Sequence, residues 1–216
     1  EVKNMGKLDQ ITWVNFLDSI EEADVIDTSN CWNLEKLDNI LKSQQFKNKR
    51  QDIIKVLLEN IDLLANQTKI PNKFFENCDK LTSIIIPESV TSIGSYVFFY
   101  CHSLTNIIIP EGVTSIGDGA FYNCKSLTNI TLPNSLTSIG DYAFVDCSSL
   151  TSIVIPESVT SIGEYAFSQC HNLTIYCEVN SQPSGWDYYW NYSNIPVYWA
   201  SEWEYINGVP TPIRKK

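Results

Sequence analysis

Apolar residues in the middle of this chain recur on a fixed step of 23. Leucine stands at Leu81, Leu104, Leu127, Leu150 and Leu173, and cysteine at Cys78, Cys101, Cys124, Cys147 and Cys170. Four full units align without a gap: LTSIIIPESVTSIGSYVFFYCHS, LTNIIIPEGVTSIGDGAFYNCKS, LTNITLPNSLTSIGDYAFVDCSS and LTSIVIPESVTSIGEYAFSQCHN. A half unit, IPNKFFENCDK (Ile70 to Lys80), precedes them, and another, LTIYCEV (Leu173 to Val179), follows. A fixed period of this length predicts a solenoid, in which each unit buries its apolar face against its neighbours. Within a unit the first, fourth and sixth residues are apolar, as in Leu81, Ile84 and Ile86, with polar or β-branched residues between them. That alternation predicts a short strand whose copies stack as a parallel sheet at ~4.8 Å spacing. Proline at the seventh place (Pro87, Pro110, Pro133, Pro156) has no N–H and ends the strand. A second apolar pair follows, as in Val90 and Ile93. The glycine column Gly94, Gly117, Gly140 and Gly163 then suggests a bend with unusual dihedrals. The Ala-Phe pairs at Ala120–Phe121, Ala143–Phe144 and Ala166–Phe167 are expected to turn a small residue and a ring inward.

Outside the array the period disappears. Residues 1–69 show helical spacing in three places: Ile11, Val14, Leu17 and Ile20; Leu34, Leu37, Ile40 and Leu41, with Asn33 as N-cap; and Ile53, Ile54, Leu57, Leu58, Ile61 and Leu64. The basic run Lys47, Lys49 and Arg50 reads as loop. A solenoid needs its ends covered, because an open strand edge templates further pairing, so residues 1–69 are expected to form a small helical bundle or a cap over the first strand. Residues 70–179 then hold the array, and 180–216 a C-terminal cap and tail, with Asn207 to Lys216 read as a linker or truncated edge. Between Tyr176 and Tyr205 lie ten of the chain's 26 aromatic residues. They close the core as a cap, or offer a platform for a sugar or a partner, with Trp186 and Trp190 as the candidate rings.

Composition narrows the function. The 216 residues are 44% apolar and 19% charged, which excludes a disordered chain. The net charge of −10 argues against nucleic acid, which requires a basic stripe. No apolar run reaches the ~18–20 residues of a membrane helix. No secretory signal is evident, and the only methionine is Met5, so the chain is expected to be a processed piece of something longer, with any signal or anchor outside it.

The pattern LTxIxIPxxVTSIGxxAFxxC resembles the BspA-like leucine-rich repeats of bacterial and protozoan surface proteins. The resemblance runs roughly from Ile70 to Trp199, including the closing segment IYCEVNSQPSGWDYYWNYSNIPVYW. It implies a leucine-rich-repeat solenoid of stacked parallel β-strands, here with an N-terminal α-helical region and an aromatic C-terminal cap. It implies a cell-surface or secreted protein, bacterial in preference to protozoan, and some such relatives act as adhesins. The expected partner is therefore a protein or glycoprotein, such as a host matrix component or another cell surface.

The third and fifth places of each unit flank the inward fourth residue and share the outer face of the strand. Their columns are Ser83, Asn106, Asn129 and Ser152, and Ile85, Ile108, Thr131 and Val154. In leucine-rich repeats this concave sheet is the usual contact face. The alternative is that its β-branched residues only satisfy strand propensity. Acids line up at the eighth place (Glu88, Glu111, Glu157) and the fifteenth (Asp118, Asp141, Glu164). They make a solvated face or attract a basic partner, and are too regular to converge on calcium. The histidines, His102 and His171, stand three units apart, ~14 Å, too far to share a metal. No phosphate loop, zinc spacing or nucleophile elbow occurs, so neither cofactor nor catalysis is expected. The cysteine column predicts a ladder of buried, reduced thiols behaving as small apolar residues, since parallel Cβ vectors do not give the disulfide dihedral. Cys31 and Cys177 stand apart from it and are not expected to pair.

Overall fold

The structure, a computed structural model, describes residues 32–60 and 63–213 together with residues 15, 16 and 19. The first helical periodicity, at Ile11 to Ile20, and Cys31 fall outside the described residues. Helix α1 (Leu34–Lys42) starts as expected at Asn33, whose side chain accepts the N–H of Lys36 at 3.0 Å. Helix α2 (Arg50–Asn60) begins at a residue expected in a loop.

From residue 69 the chain coils. Strand β1 (Lys69–Ile70) is followed by two short strands per unit: β2 (Ser83–Ile85) and β3 (Ser92–Ile93), β4 (Asn106–Ile108) and β5 (Ser115–Ile116), β6 (Asn129–Thr131) and β7 (Ser138–Ile139), β8 (Ser152–Ile155) and β9 (Ser161–Ile162). Strands β10 (Thr174–Cys177), β11 (Val197–Tyr198), β12 (Trp203–Ile206) and β13 (Val209–Pro212) complete the fold. The first strands of the units pair in parallel in the order β2-β4-β6, continued by β8-β10-β11, and the second strands as β1-β3-β5-β7-β9. The register follows the repeat: Ile84 lies beside Ile107 and Ile107 beside Ile130. The isoleucine of the second apolar pair thus lies in a strand of its own and is buried in every copy.

The third side of each coil is made of turns, and there the backbone hydrogen bonds between units run one way only. On the parallel sheets the bonds between units run both ways, Gly117 N–H donating back to Ile93 O and Ile175 N–H forward to Pro196 O, each at 2.9 Å. On the third side the earlier unit donates: Phe98 N–H to Ala120 O and Phe121 N–H to Ala143 O, both at 2.8 Å. The array therefore begins with carbonyls that have no preceding rung, and an unpaired buried carbonyl costs about 1–3 kcal/mol. The Arg50 guanidinium meets them. It donates to Phe74 O, to Glu76 O at 3.2 Å and to Lys73 O at 3.4 Å, and pairs with the buried Asp38 at 3.0 Å. This one side chain fastens the helices to the array. We expect Arg50→Ala to lower unfolding free energy by about 3 kcal/mol or more in urea denaturation. Arg50→Lys should recover only part of it, because an ammonium cannot span the same fork of acceptors. A lysine variant as stable as the parent would refute this role.

The core is one continuous cluster from Phe16 and Trp32 to Ile195. At its centre Phe75, Phe98, Phe121, Phe144 and Phe167 stack with centroids 5.2 to 5.4 Å apart. The six described cysteines are buried and free, as the ladder requires. They are more than small apolar groups, however. Cys101, Cys124, Cys147 and Cys170 each point Sγ at a phenylalanine carbonyl of the previous unit, at 2.9 to 3.2 Å.

The glycine column differs from expectation. Gly94, Gly117, Gly140 and Gly163 are absent from the positive-φ residues. They are needed for space: a Cβ on Gly117 would lie 2.6 Å from Ser95 N and 2.7 Å from Gly94 C. The left-handed positions fall two and six residues later, at Tyr96, Gly119, Tyr142 and Tyr165, and at Tyr100, Asn123, Asp146 and Gln169.

Candidate functional site

The outer face of the first sheet is where the sequence placed a binding surface. Ser83, Asn106, Asn129 and Ser152 form one column along it, and Ile85, Ile108, Thr131 and Val154 the next, held in register by β2, β4, β6 and β8. The inward partners Ile107, Ile130 and Ile153 are buried, so the strands cannot roll their outer side chains into the core. Ile85 is 90% exposed and Ile108 68%. They are adjacent rungs and make an apolar step beside polar Ser83 and Asn106. Exposure falls toward the other end, where Ser152 and Val154 are half-buried.

The tail accounts for that gradient. Tyr176 of β10 sits beside Val154, and Tyr198 of β11 beside Tyr176, so the fifth-place column ends in two stacked rings 5.6 Å apart. Trp203 lies edge-on to Tyr176 at 5.4 Å and donates Nε1–H to Cys177 O at 3.0 Å. Strands β12 and β13 form an antiparallel hairpin turned by Asn207 (φ 52°) and Gly208 (φ 78°). The segment expected as a linker is thus a built element, and its Asn-Gly dipeptide was the available signal.

Trp186 and Trp190, the rings proposed for sugar contact, are each 4% exposed. Trp186 bridges to Ile162 and donates Nε1–H to Val159 O at 3.0 Å, and Trp190 stands edge-on to Phe167. Their ring faces close the core and are not open to a ligand. The exposed rings near them are Tyr188, Tyr189 and Tyr192.

The acid columns carry a structural duty that sequence reasoning missed. Asp118 Oδ1 accepts the N–H of Asp141 at 3.0 Å, and Asp141 Oδ1 that of Glu164 at 2.8 Å. Asn72 does the same for Ser95 at 2.9 Å. Asn72, Asp118 and Asp141 of the fifteenth place thus each satisfy a corner amide one unit on. Glu111 likewise accepts from Asn134 N–H at 3.1 Å. Among the described residues no group of three or more His, Cys, Asp or Glu side chains is placed to hold a metal ion. His102 Nδ1 lies 3.1 Å from Asp79 Oδ1, and His171 is exposed. Among the described residues no helix is long and apolar enough to cross a membrane.

Two stacked parallel ladders closed by a turn-built third side define a leucine-rich-repeat solenoid. The pattern of the BspA type leucine rich repeat region matches residues 68–182 in 6 copies. That is more than half of the chain, which belongs to this family. Among solved structures, a leucine-rich repeat protein of T. pallidum is 37% identical over 50% of this chain and 51% of its own, with a TM-score of 0.50. One from Bacteroides ovatus is 39% identical over 56% of this chain and 30% of its own, also at 0.50. The pneumococcal vaccine antigen PcpA, at 24% identity, TM-score 0.51, 63% of this chain and 32% of its own, shares the fold. The chain therefore spans about half, or less, of the length of these proteins. No curated protein matches it.

Proposed function

We propose that this chain is a non-enzymatic binding module of a cell-surface or secreted bacterial protein. It recognises a protein or glycoprotein through the outer face of β2, β4, β6 and β8. The observation that carries this reading is the pair Ile85 and Ile108, which leave two large apolar side chains in water on a face whose strands are already ordered. A face fixed before contact loses little conformational entropy on binding. The third-place column, Ser83, Asn106, Asn129 and Ser152, supplies hydrogen-bonding groups beside the apolar step.

The test is solid-phase binding of the full chain to a panel of matrix glycoproteins, intact and enzymatically deglycosylated. Binding that survives deglycosylation and falls at least about tenfold in Ile85→Lys/Ile108→Lys supports the proposal, since a charge desolvated at an apolar contact costs more than ~1.4 kcal/mol. No saturable binding, with the variant fully folded, would leave a spacer role within a larger surface protein. Binding lost on deglycosylation and untouched by the variant would move the contact to the exposed tyrosines of the tail.

A further inference from the structure

The third side of the solenoid carries a surface that the sheet-face proposal does not use. The sixteenth place of each unit is left-handed, at Tyr96, Gly119, Tyr142 and Tyr165, and Lys73 (φ 63°) stands one unit earlier in the same column. The side chains of this column stack in two groups along the solenoid, on either side of Gly119. The Lys73 ammonium lies 5.6 Å from the centroid of the Tyr96 ring. The Tyr96 ring leans over Gly119, where an added Cβ would come 2.5 Å from its Cδ1. Tyr142 stacks on Tyr165 at 5.6 Å and 20°, and Tyr165 on Tyr189 at 5.7 Å and 8°. Tyr192 stands edge-on to Tyr165 and Tyr189. Because the column is interrupted at Gly119, Tyr142 has a ring contact only on its Tyr165 side among the described residues, and it is 37% exposed. At the far end Tyr188 is 86% exposed, with Tyr189 and Tyr192 also open to water.

Charge of one sign borders the row. Asp118, Asp141 and Glu164 occupy the adjoining fifteenth place, and none forms an ion pair among the described residues. Asp118 and Asp141 each place Oδ1 on a backbone N–H, and both residues are exposed. The carboxylates reach the rings electrostatically: burial first, then the charges of Glu164 and Asp141, pushes the Tyr142 phenol above its ordinary value.

We propose that this tyrosine row is a docking surface for an arginine- or lysine-bearing segment of a partner protein. The partner's cations take, on the open ring faces, the position that Lys73 takes on Tyr96. A ring face attracts a cation through its quadrupole, and an adjacent unpaired carboxylate adds to that attraction. Arginine suits the row better than lysine because its flat guanidinium also stacks. A neutral sugar fits the same rings poorly. Tyr188 and Tyr189 are 87° apart, and Tyr189 and Tyr192 65°, so they offer no common plane for a pyranose.

The experiment is fluorescence anisotropy of the full chain with labelled octa-arginine and octa-lysine, beside a neutral labelled maltoheptaose. Tyr142→Asn/Tyr189→Ser keeps the net charge, and asparagine tolerates the left-handed backbone. The double variant should bind octa-arginine about tenfold more weakly. Asp118→Asn/Asp141→Asn, which preserves the amide acceptors, should weaken binding and flatten its salt dependence. Ile85→Ser/Ile108→Ser should leave peptide binding unchanged, which separates this surface from the sheet face. The octa-arginine complex should be tighter than the octa-lysine one. The proposal is overturned if the tyrosine variant, folded by its thermal melt, binds within twofold of the parent. It is equally overturned if neither peptide binds saturably, or if only maltoheptaose binds.

Discussion

Replacing Gly140 by alanine is expected to lower the melting temperature by about 6 to 12 °C. An alanine Cβ at this position would lie 2.5 Å from Asp118 Oδ1, 2.6 Å from Asp118 N and 2.7 Å from Gly117 C. Two of these three atoms are backbone of the rung below, and that rung cannot retreat. Gly140 N–H donates to Ile116 O at 2.8 Å and Asp141 N–H to Asp118 Oδ1 at 3.0 Å, so both sides of the corner are tied. Overpacking usually costs about 1–3 kcal/mol, and a clash between hydrogen-bonded backbones belongs at the upper end. In a domain of this size each kcal/mol moves the melting temperature by about 2–4 °C. Gly112 is the internal control. Its added Cβ would lie 3.2 Å from Glu88 O and 3.4 Å from Val90 O. The other units carry Ser89, Ser135 and Ser158 at that place, and those hydroxyls donate to a carbonyl of the preceding unit. Gly112→Ser should therefore be neutral or stabilising. Equal melting shifts in Gly140→Ala and Gly112→Ser would show that the corner has room to move.

The contrast between these glycines shows what a sequence of this kind exposes. A column repeated every 23 residues reports that the same environment recurs, so the strands, the buried Leu, Ile, Phe and Cys columns and the outward Ile85 and Ile108 were all legible. It does not report the cause. The fourteenth-place glycines resemble a dihedral requirement, yet the left-handed residues are Tyr96, Tyr142 and Tyr165, where a bulky side chain gives no warning of positive φ. Stacking between successive rungs accompanies that strain, and it is invisible until the coil is built. The ends were less legible because they occur once. Arg50 looked like part of a basic loop because its acceptors, Phe74 O and Glu76 O, are orphaned only by the one-way bonding of the third side. Trp186 and Trp190 looked like a platform because a tryptophan that caps a core and one that binds a ligand have the same letter. The acids at the fifteenth place read as a solvated face because their backbone partners lie a full unit away.

Alkali is expected to unfold this protein over a narrow range above pH 9, and the buried thiols of the ladder together with Cys177 are the reason. Burial, the largest cause in each case, pushes Cys78 from its ordinary value of 9.0 to about 11 and Cys124 and Cys177 to about 12. It also drives Cys101 and Cys147 well above 9.0. These groups are neutral when protonated, so the folded chain keeps protons that the unfolded chain releases. Their contribution is complete below the unfolded value and disappears as pH rises toward the folded values. Each thiol steepens the fall by about 1.4 kcal/mol per pH unit once the unfolded chain is ionised. Five such thiols together remove about 7 kcal/mol per unit, against a total stability of about 5–15 kcal/mol for a domain. The balance reverses within roughly two units of pH 9, before the native thiols of Cys124 and Cys177 titrate. Loss of ordered circular dichroism and growth of thiolate absorbance should therefore coincide in one cooperative step. Cys124→Ala removes one of the five groups and should shallow the pH dependence by about a fifth of its slope, roughly 1.4 kcal/mol per unit. It also deletes the thiol that points at Phe98 O, so stability at pH 7 is the baseline for the comparison. Thiolate that accumulates gradually from pH 9 while the circular dichroism stays native would mean that water reaches the ladder through the folded wall. The thiols would then be ordinary groups, and burial between phenylalanine rungs would not be what keeps them protonated.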